Sequence, residues 1–324
     1  MNGPQNKMIV TQSRHVWTAS TVAEFYPERK NYFLKIAAHG VLFLKDKMWD
    51  AQLGGFYTLV DREGKALKNG KSERIIKEAY GNAFAIYGLS AFSRVSGDTA
   101  ALNLAKKAFI WLDKHSFDPQ YGGYFQFLEA DGTPLKGGYN GTPPKDQNSS
   151  IHLLEAFTEL YRVWPDPLVK ERLLMMLNLI RDRIVQPKGY LQLFLNRDCS
   201  PVSYRDSAED VRRKNWQLDH ISFGHDVETA YLMREASDVA EQKEDTLTLR
   251  KAKMMVDHSI RYGWDKSVGG FYDGGYYFKG QDYVTIIKDT KNWWAQAEGL
   301  NSLLLMARLF PDDPHNYKSL FLKE

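Results

Sequence analysis

Apolar and polar positions along this chain repeat on a helical period, and they do so in unlike pairs. The pattern predicts helices over about 12–26 and 29–48, 73–95 and 98–115, 148–163 and 167–185, 221–239 and 245–262, and 291–310, with a further start near 315. The first helix of each pair is apolar on nearly every face, as in Tyr80-Gly81-Asn82-Ala83-Phe84-Ala85-Ile86-Tyr87. The second is amphipathic, as in Ala105 to His115, where Lys106, Lys107 and Lys114 interrupt the apolar face. A helix apolar all round is buried and an amphipathic one faces solvent. Alternation of the two predicts an inner and an outer ring, an all-α helical-hairpin barrel.

A second pattern punctuates the first. Trp49-Asp50-x3-Gly54-Gly55-Phe56 recurs as Phe117-Asp118-x3-Gly122-Gly123-Tyr124 and as Trp264-Asp265-x3-Gly269-Gly270-Phe271. A worn copy, Gln186-Pro187-Lys188-Gly189-Tyr190, fills the gap. Short hairpin signals follow the first two copies, at Phe56 to Gly64 and Phe125 to Gly132. The element comes after each outer helix and leads to the next inner one, so these turns and hairpins are expected at one mouth of the barrel, beside the inner-helix starts. The long interval before the last copy holds a charged insertion, Asp206 to Lys214.

Composition narrows the function. The 324 residues carry 43 basic and 40 acidic side chains, a net charge of +3 that gives no argument for nucleic acid. Cys199 is the only cysteine, so no disulfide framework and no cysteine-based metal site is expected. The start, MNGPQNKMIV, lacks the apolar core of a signal peptide, and no apolar run reaches the roughly 18 residues of a membrane span. A soluble cytoplasmic protein is the expectation. Aromatic residues make up 13% of the chain, and many fall near the Gly pairs and helix starts, where they suit stacking on sugar rings as well as core packing.

Residues of chemical interest keep step with the helical repeat. Arg14, Tyr80, His152, His225 and Trp294 follow one another at intervals of 66, 72, 73 and 69 residues, each near an inner-helix start. Either they share a site or the repeat has preserved capping and packing positions. His225 and Glu228 lie three apart, on one helix face, where the carboxylate could orient the ring as a general base; a capped helix with a satisfied core histidine reads equally well. Asn148 and His152 are one turn apart, and Asn148 or Ser149 could cap that helix. Arg14, in an otherwise apolar helix, must be paired or face a polar cavity, where it would hold an anionic oxygen. Trp293 and Trp294 could floor a sugar subsite or simply pack. No His-Glu-x-x-His or similar motif occurs, so no metal is expected.

Four stretches in order carry a resemblance over nearly the whole chain. Tyr80 to Tyr87, Ile151 to Asp166, Phe223 to Glu228 and Trp293-Trp294-Ala295-Gln296-Ala297-Glu298 resemble the N-acylglucosamine 2-epimerase superfamily, closest to its cellobiose 2-epimerase branch. The resemblance implies an (α/α)6 barrel as a single domain over residues 1–324, acting on free reducing sugars without metal or redox cofactor. It implies proton abstraction at C2 of the ring-opened aldose, a cis-enediolate, and return of a proton to the opposite face. Carried over, His225 matches a catalytic acid/base with Glu228 as partner, and His152 a site histidine with Asn148 beside it. Arg14 matches the residue on the sugar oxygens, and Tyr80 and Trp294 match substrate-contacting aromatics. Ser149 and Ser150 stand where the family is richer in histidine.

Length is the departure. Six hairpins need roughly 400 residues, so about ten of the twelve helices are expected here, a barrel short at both ends. One further step from Trp294 falls near about position 363, where the family's second catalytic histidine would lie. A fragment, or a short variant completed as a homodimer, are the expectations; a monomer is the other assembly. Without that histidine, C2 proton exchange would persist and inversion would suffer. The leading expectation is thus a sugar 2-epimerase acting on the reducing end of a disaccharide such as cellobiose, or on a related monosaccharide. The others are an aldose–ketose isomerase of mannose isomerase type, a glycoside hydrolase using Glu228 with Asp226 or Glu298, and a non-catalytic sugar-binding protein.

Overall fold

The computed structural model describes residues 3–68, 74–242 and 245–323. Two compact units divide the chain: Met1–Lys145 with His152–Met176, and Asp146–Ile151 with Leu177–Glu324.

The first unit contains α1 (Ile9–Phe25), α2 (Lys30–Phe43), α3 (Ala79–Ser96) and α4 (Thr99–Ser116), and most of α5 (Gln147–Val163) and α6 (Pro167–Leu179). The second holds the remaining turns of α5 and α6, then α7 (Glu209–Asn215), α8 (Phe223–Val239), α9 (Thr246–Gly263), α10 (Trp293–Leu309) and α11 (Tyr317–Phe321). Helix starts have local causes. Asp98 and Asp245 cap α4 and α9, their carboxylates accepting from the N–H groups of Ala101 (2.8 Å) and Thr248 (2.9 Å). At α5 the cap is Asp146, which accepts from Ser149 N–H at 3.3 Å, in place of the Asn148 or Ser149 cap read from sequence.

Most boundaries fall within a few residues of the periodicity. Three differ for identifiable reasons. The start expected near 73 lies outside the described residues; α3 begins at Ala79 because Ile76–Glu78 are extended and pair antiparallel with Phe127–Glu129. In the same way Lys7–Met8, just before α1, pair with Leu59–Val60. The hairpin strands thus join the segments that lead into inner helices, since strands of two or three residues do not persist alone. The charged insertion forms the seven-residue α7, held by an Arg213–Glu209 pair one turn apart.

Burial separates the inner helices. In α3 thirteen of eighteen residues are buried, as all-round apolarity predicts. In α10 only five of seventeen are, because this helix packs along one stripe against α8 and α11. α2 and α6 each end in a wide π turn, Leu44–Met48 and Ile180–Ile184, built from one pattern: apolar, basic, Asp, basic, apolar. Each is closed by the N–H of the next residue, Trp49 to Leu44 and Val185 to Ile180, both at 2.9 Å, and each buries its two apolar ends.

The Gly-Gly repeat proves to be a clasp. Gly54 and Gly55 both have φ of +72°, a left-handed conformation that glycine adopts without strain. Asp50 accepts from the N–H groups of Gln52 and Leu53, tying the turn. Lys77, in the strand before α3, reaches back to Asp50 (2.8 Å) and to the Gly54 carbonyl (2.6 Å). Lys145 does the same to Asp118 and Gly122, and Lys291 to Asp265 and Gly269. Five residues after the lysine an amide completes the lock: Asn82 accepts from Phe56 N–H and Gln296 from Phe271 N–H, both at 2.8 Å. In the worn copy Gln186 replaces the aspartate and Ile221 the lysine, so both members of the ion pair are lost together.

Candidate active site

In the first unit, the α1–α3 contact places the cluster. Gly88 lets the backbones meet, since a Cβ there would sit 2.7 Å from the Ser13 carbonyl oxygen. The neighbouring Arg14 then extends over α3, with its guanidinium 4.4 Å from the centre of the Phe84 ring. Arg14 is exposed and has no carboxylate partner among the described residues, so the burial that the sequence reading assumed for it is not found. Tyr80 meets Phe84 edge-on at 5.0 Å. The His152 ring lies 4.5 Å from Phe84 and 5.3 Å from Tyr80.

His152 is 3% exposed, and its Nδ1 lies 2.9 Å from Glu155 Oε2, one turn on in α5. An ionised carboxylate only accepts, so this pair puts a proton on Nδ1. Arg14, Tyr80 and His152 thus gather on Phe84. Sequence reading missed both Phe84 and Glu155, although each lies at helical spacing, four residues after Tyr80 and three after His152.

In the second unit, α8 begins at Phe223 and presents His225 in its first turn. The ring lies 4.8 Å from that of Trp294, at the start of α10. Gly224 permits this: a Cβ there would come within 2.8 Å of the Trp294 ring and 2.6 Å of Ala295 Cβ. The Ser222 hydroxyl lies 2.7 Å from His225 Nδ1. Glu228 is buried one turn further along α8. Further along α8, the Tyr231 hydroxyl donates to Glu298 at 2.5 Å.

Three further candidate residues lie as follows. Trp293 is 80% exposed and stands apart from the His225–Trp294 contact, because consecutive helical residues point about 100° apart. Asn148 occupies the first turn of α5, half-buried. Asp226, a hydrolase candidate, is fully buried, and burial pushes its carboxyl well above the usual range. It accepts from Leu191 N–H at 2.9 Å, the same lock that Asn82 and Gln296 form, and so acts in the scaffold. His220 packs against Trp216, and burial lowers its pKa. Among the described residues no group of three His, Cys, Asp or Glu side chains is arranged to hold a metal ion, and no helix is long and apolar enough to cross a membrane.

Residues 2–319 match the family described as N-acylglucosamine 2-epimerase (GlcNAc 2-epimerase). A cellobiose 2-epimerase of Bacteroides fragilis is 27% identical over 314 residues, covering 95% of this chain and 72% of that protein. One from Ruminococcus albus is 30% identical over 301 residues, covering 91% and 69%. The solved structure of cellobiose 2-epimerase from Spirochaeta thermophila superposes with a TM-score of 0.80 at 27% identity, covering 98% of this chain and 73% of that one. Fold and relatives together define a carbohydrate epimerase or isomerase of the all-α, (α/α)6-barrel class. The chain belongs to the N-acylglucosamine 2-epimerase family.

Proposed function

We propose that this protein is a sugar 2-epimerase acting on the reducing-end aldose of a disaccharide such as cellobiose. The observation that carries the reading is the way both histidines are held at Nδ1, His152 by Glu155 at 2.9 Å and His225 by Ser222 at 2.7 Å. A ring fixed at one nitrogen exchanges protons through the other, which is what abstraction and return of the C2 proton require. His225 acts as acid/base toward C2. His152, with a defined tautomer, is the second basic group, and Arg14 stabilises the negative oxygen of the enediolate. Tyr80 and Trp294 supply aromatic surface for the sugar, with Asn148 as a polar contact. Glu228 tunes the charge near His225.

The test follows the H2 signal of cellobiose, mannose and glucose by NMR in D2O. Solvent exchange with appearance of the C2 epimer is expected, and His225→Ala abolishes it while leaving the fold intact. A ketose product makes the enzyme an aldose–ketose isomerase, and cleavage of cellobiose makes it a hydrolase. Saturable binding with no exchange on any of these sugars refutes a catalytic role.

A further inference from the structure

The second unit contains a cavity of about 510 Å³ to which none of the residues assigned above contributes. It forms between the worn turn at Lys188, the last turns of α9 and the loop after strand Gly274–Tyr276. The turn is built to reach it. Gly189 stands where the intact copies carry the first glycine of their pair, and Lys188 comes just before it. Gly189 lies so close to α9 that a Cβ there would be 2.7 Å from the Met254 carbonyl oxygen and 3.2 Å from His258 Cβ.

A buried imidazole and two cations line this space. His258 is 5% exposed; its Nε2 is 3.0 Å from the Tyr277 hydroxyl, and its Nδ1 has no hydrogen-bond partner among the described residues. A buried polar atom left alone costs about 1–3 kcal/mol, so it calls for a ligand. A neutral ring that accepts from the Tyr277 hydroxyl at Nε2 carries its proton on Nδ1 and can offer it as a donor. Lys188 Nζ lies 4.1 Å from the centre of the Tyr277 ring, and the Arg261 guanidinium 5.1 Å from that of Tyr262. Neither cation has a carboxylate partner among the described residues. Burial, joined by the Lys188 and Arg261 charges, pushes His258 down to about 4. Two carboxylates also line the space. Asp257 is already engaged by Lys253 (2.7 Å) and the Tyr317 hydroxyl (2.5 Å), and Asp282 is exposed.

We infer that this cavity is an oxyanion site suited to a phosphate monoester carried on a sugar. Lys188 and Arg261 supply the charge and His258 Nδ1–H a directional donor. The Tyr262 and Tyr277 rings give the carbon skeleton a flat wall. The volume lies within the range of about 300–1,000 Å³ usual for small-molecule sites. The site is separate from the residues assigned to sugar epimerisation and stands or falls independently of them.

The test titrates the full chain with inorganic phosphate, glucose 6-phosphate and glucose, reading the His258 ring resonance, assigned by its loss in His258→Gln. Both phosphates are expected to shift it saturably, glucose 6-phosphate more tightly, and glucose not at all. Lys188→Ala with Arg261→Ala, both exposed, should weaken phosphate binding at least about tenfold, or 1.4 kcal/mol, with C2 exchange unchanged. No saturable shift with either phosphate overturns the site, as does an equal shift in the double variant. A shift with glucose of the same size overturns the oxyanion assignment in favour of a neutral sugar.

Discussion

Replacing Asp226 with asparagine should stabilise this protein, and by an amount that depends on pH. The side chain is fully buried in α8, with one carboxylate oxygen on Leu191 N–H and the other without a partner. At the equivalent places Asn82 and Gln296 also accept from a backbone N–H, and their NH2 groups donate to the carbonyl four residues back, Glu78 at 2.9 Å and Asn292 at 3.2 Å. An aspartate matches them only when protonated. Burial raises its pKa, with the Leu191 hydrogen bond working the other way. The folded chain therefore binds this proton more tightly than the unfolded chain, whose carboxyl titrates near about 3.9. The contribution is present in full below that value and is lost as pH rises toward the folded value. At neutral pH the wild type is thus the disadvantaged member. Asparagine needs no proton and adds a donor to the Ser222 carbonyl, worth about 0.5–1.5 kcal/mol before the burial cost of the acid is counted. Urea unfolding of both proteins at several pH values between about 4 and 8 reads this directly. The variant should lead at neutral pH, with a gap that narrows toward acid. A less stable variant at neutral pH, or a gap independent of pH, refutes the assignment of Asp226 as a neutral scaffold acid.

Three further outcomes follow from the same contacts. Lys77→Ile strands the buried Asp50 carboxylate and should cost about 3–5 kcal/mol, whereas adding Asp50→Gln reproduces the Gln186/Ile221 solution of the worn copy and should recover most of it; chemical denaturation of both variants decides, and an unrecovered double variant means that the clasp is not coupled. Gly224→Ala drives a methyl into Trp294 and Ala295, so about 1–3 kcal/mol of stability should go, with a changed near-UV signal from the tryptophan; unaltered spectra would show that the helices reseat freely. Glu155→Gln should slow C2 exchange about tenfold to a hundredfold, less than loss of a whole acid–base group, while sugar affinity holds; a change in affinity alone would make Glu155 a binding residue.

Much of this molecule was legible in its periodicity, because a 3.6-residue pattern of apolar positions already encodes which face of a helix is buried. The helical pairs, the Gly-Gly turns and the regular spacing of Arg14, Tyr80, His152, His225 and Trp294 all follow from local rules, and the family followed from motifs set in that order. Side-chain partnership did not follow. Packing brought the Ser222 hydroxyl to His225 Nδ1 and the Glu155 carboxylate to His152 Nδ1, two contacts that sequence reading did not name. Trp294 meets His225 where Gly224 leaves room for its ring, and Trp293, about 100° around the helix, does not. The Lys–Asp clasps join residues 26 or 27 apart, and the value of each charge depends on its being buried with its partner. Such contacts depend on rotamers and on segments remote in sequence, so the chain's pattern sets where chemistry can occur and tertiary packing decides which atoms meet.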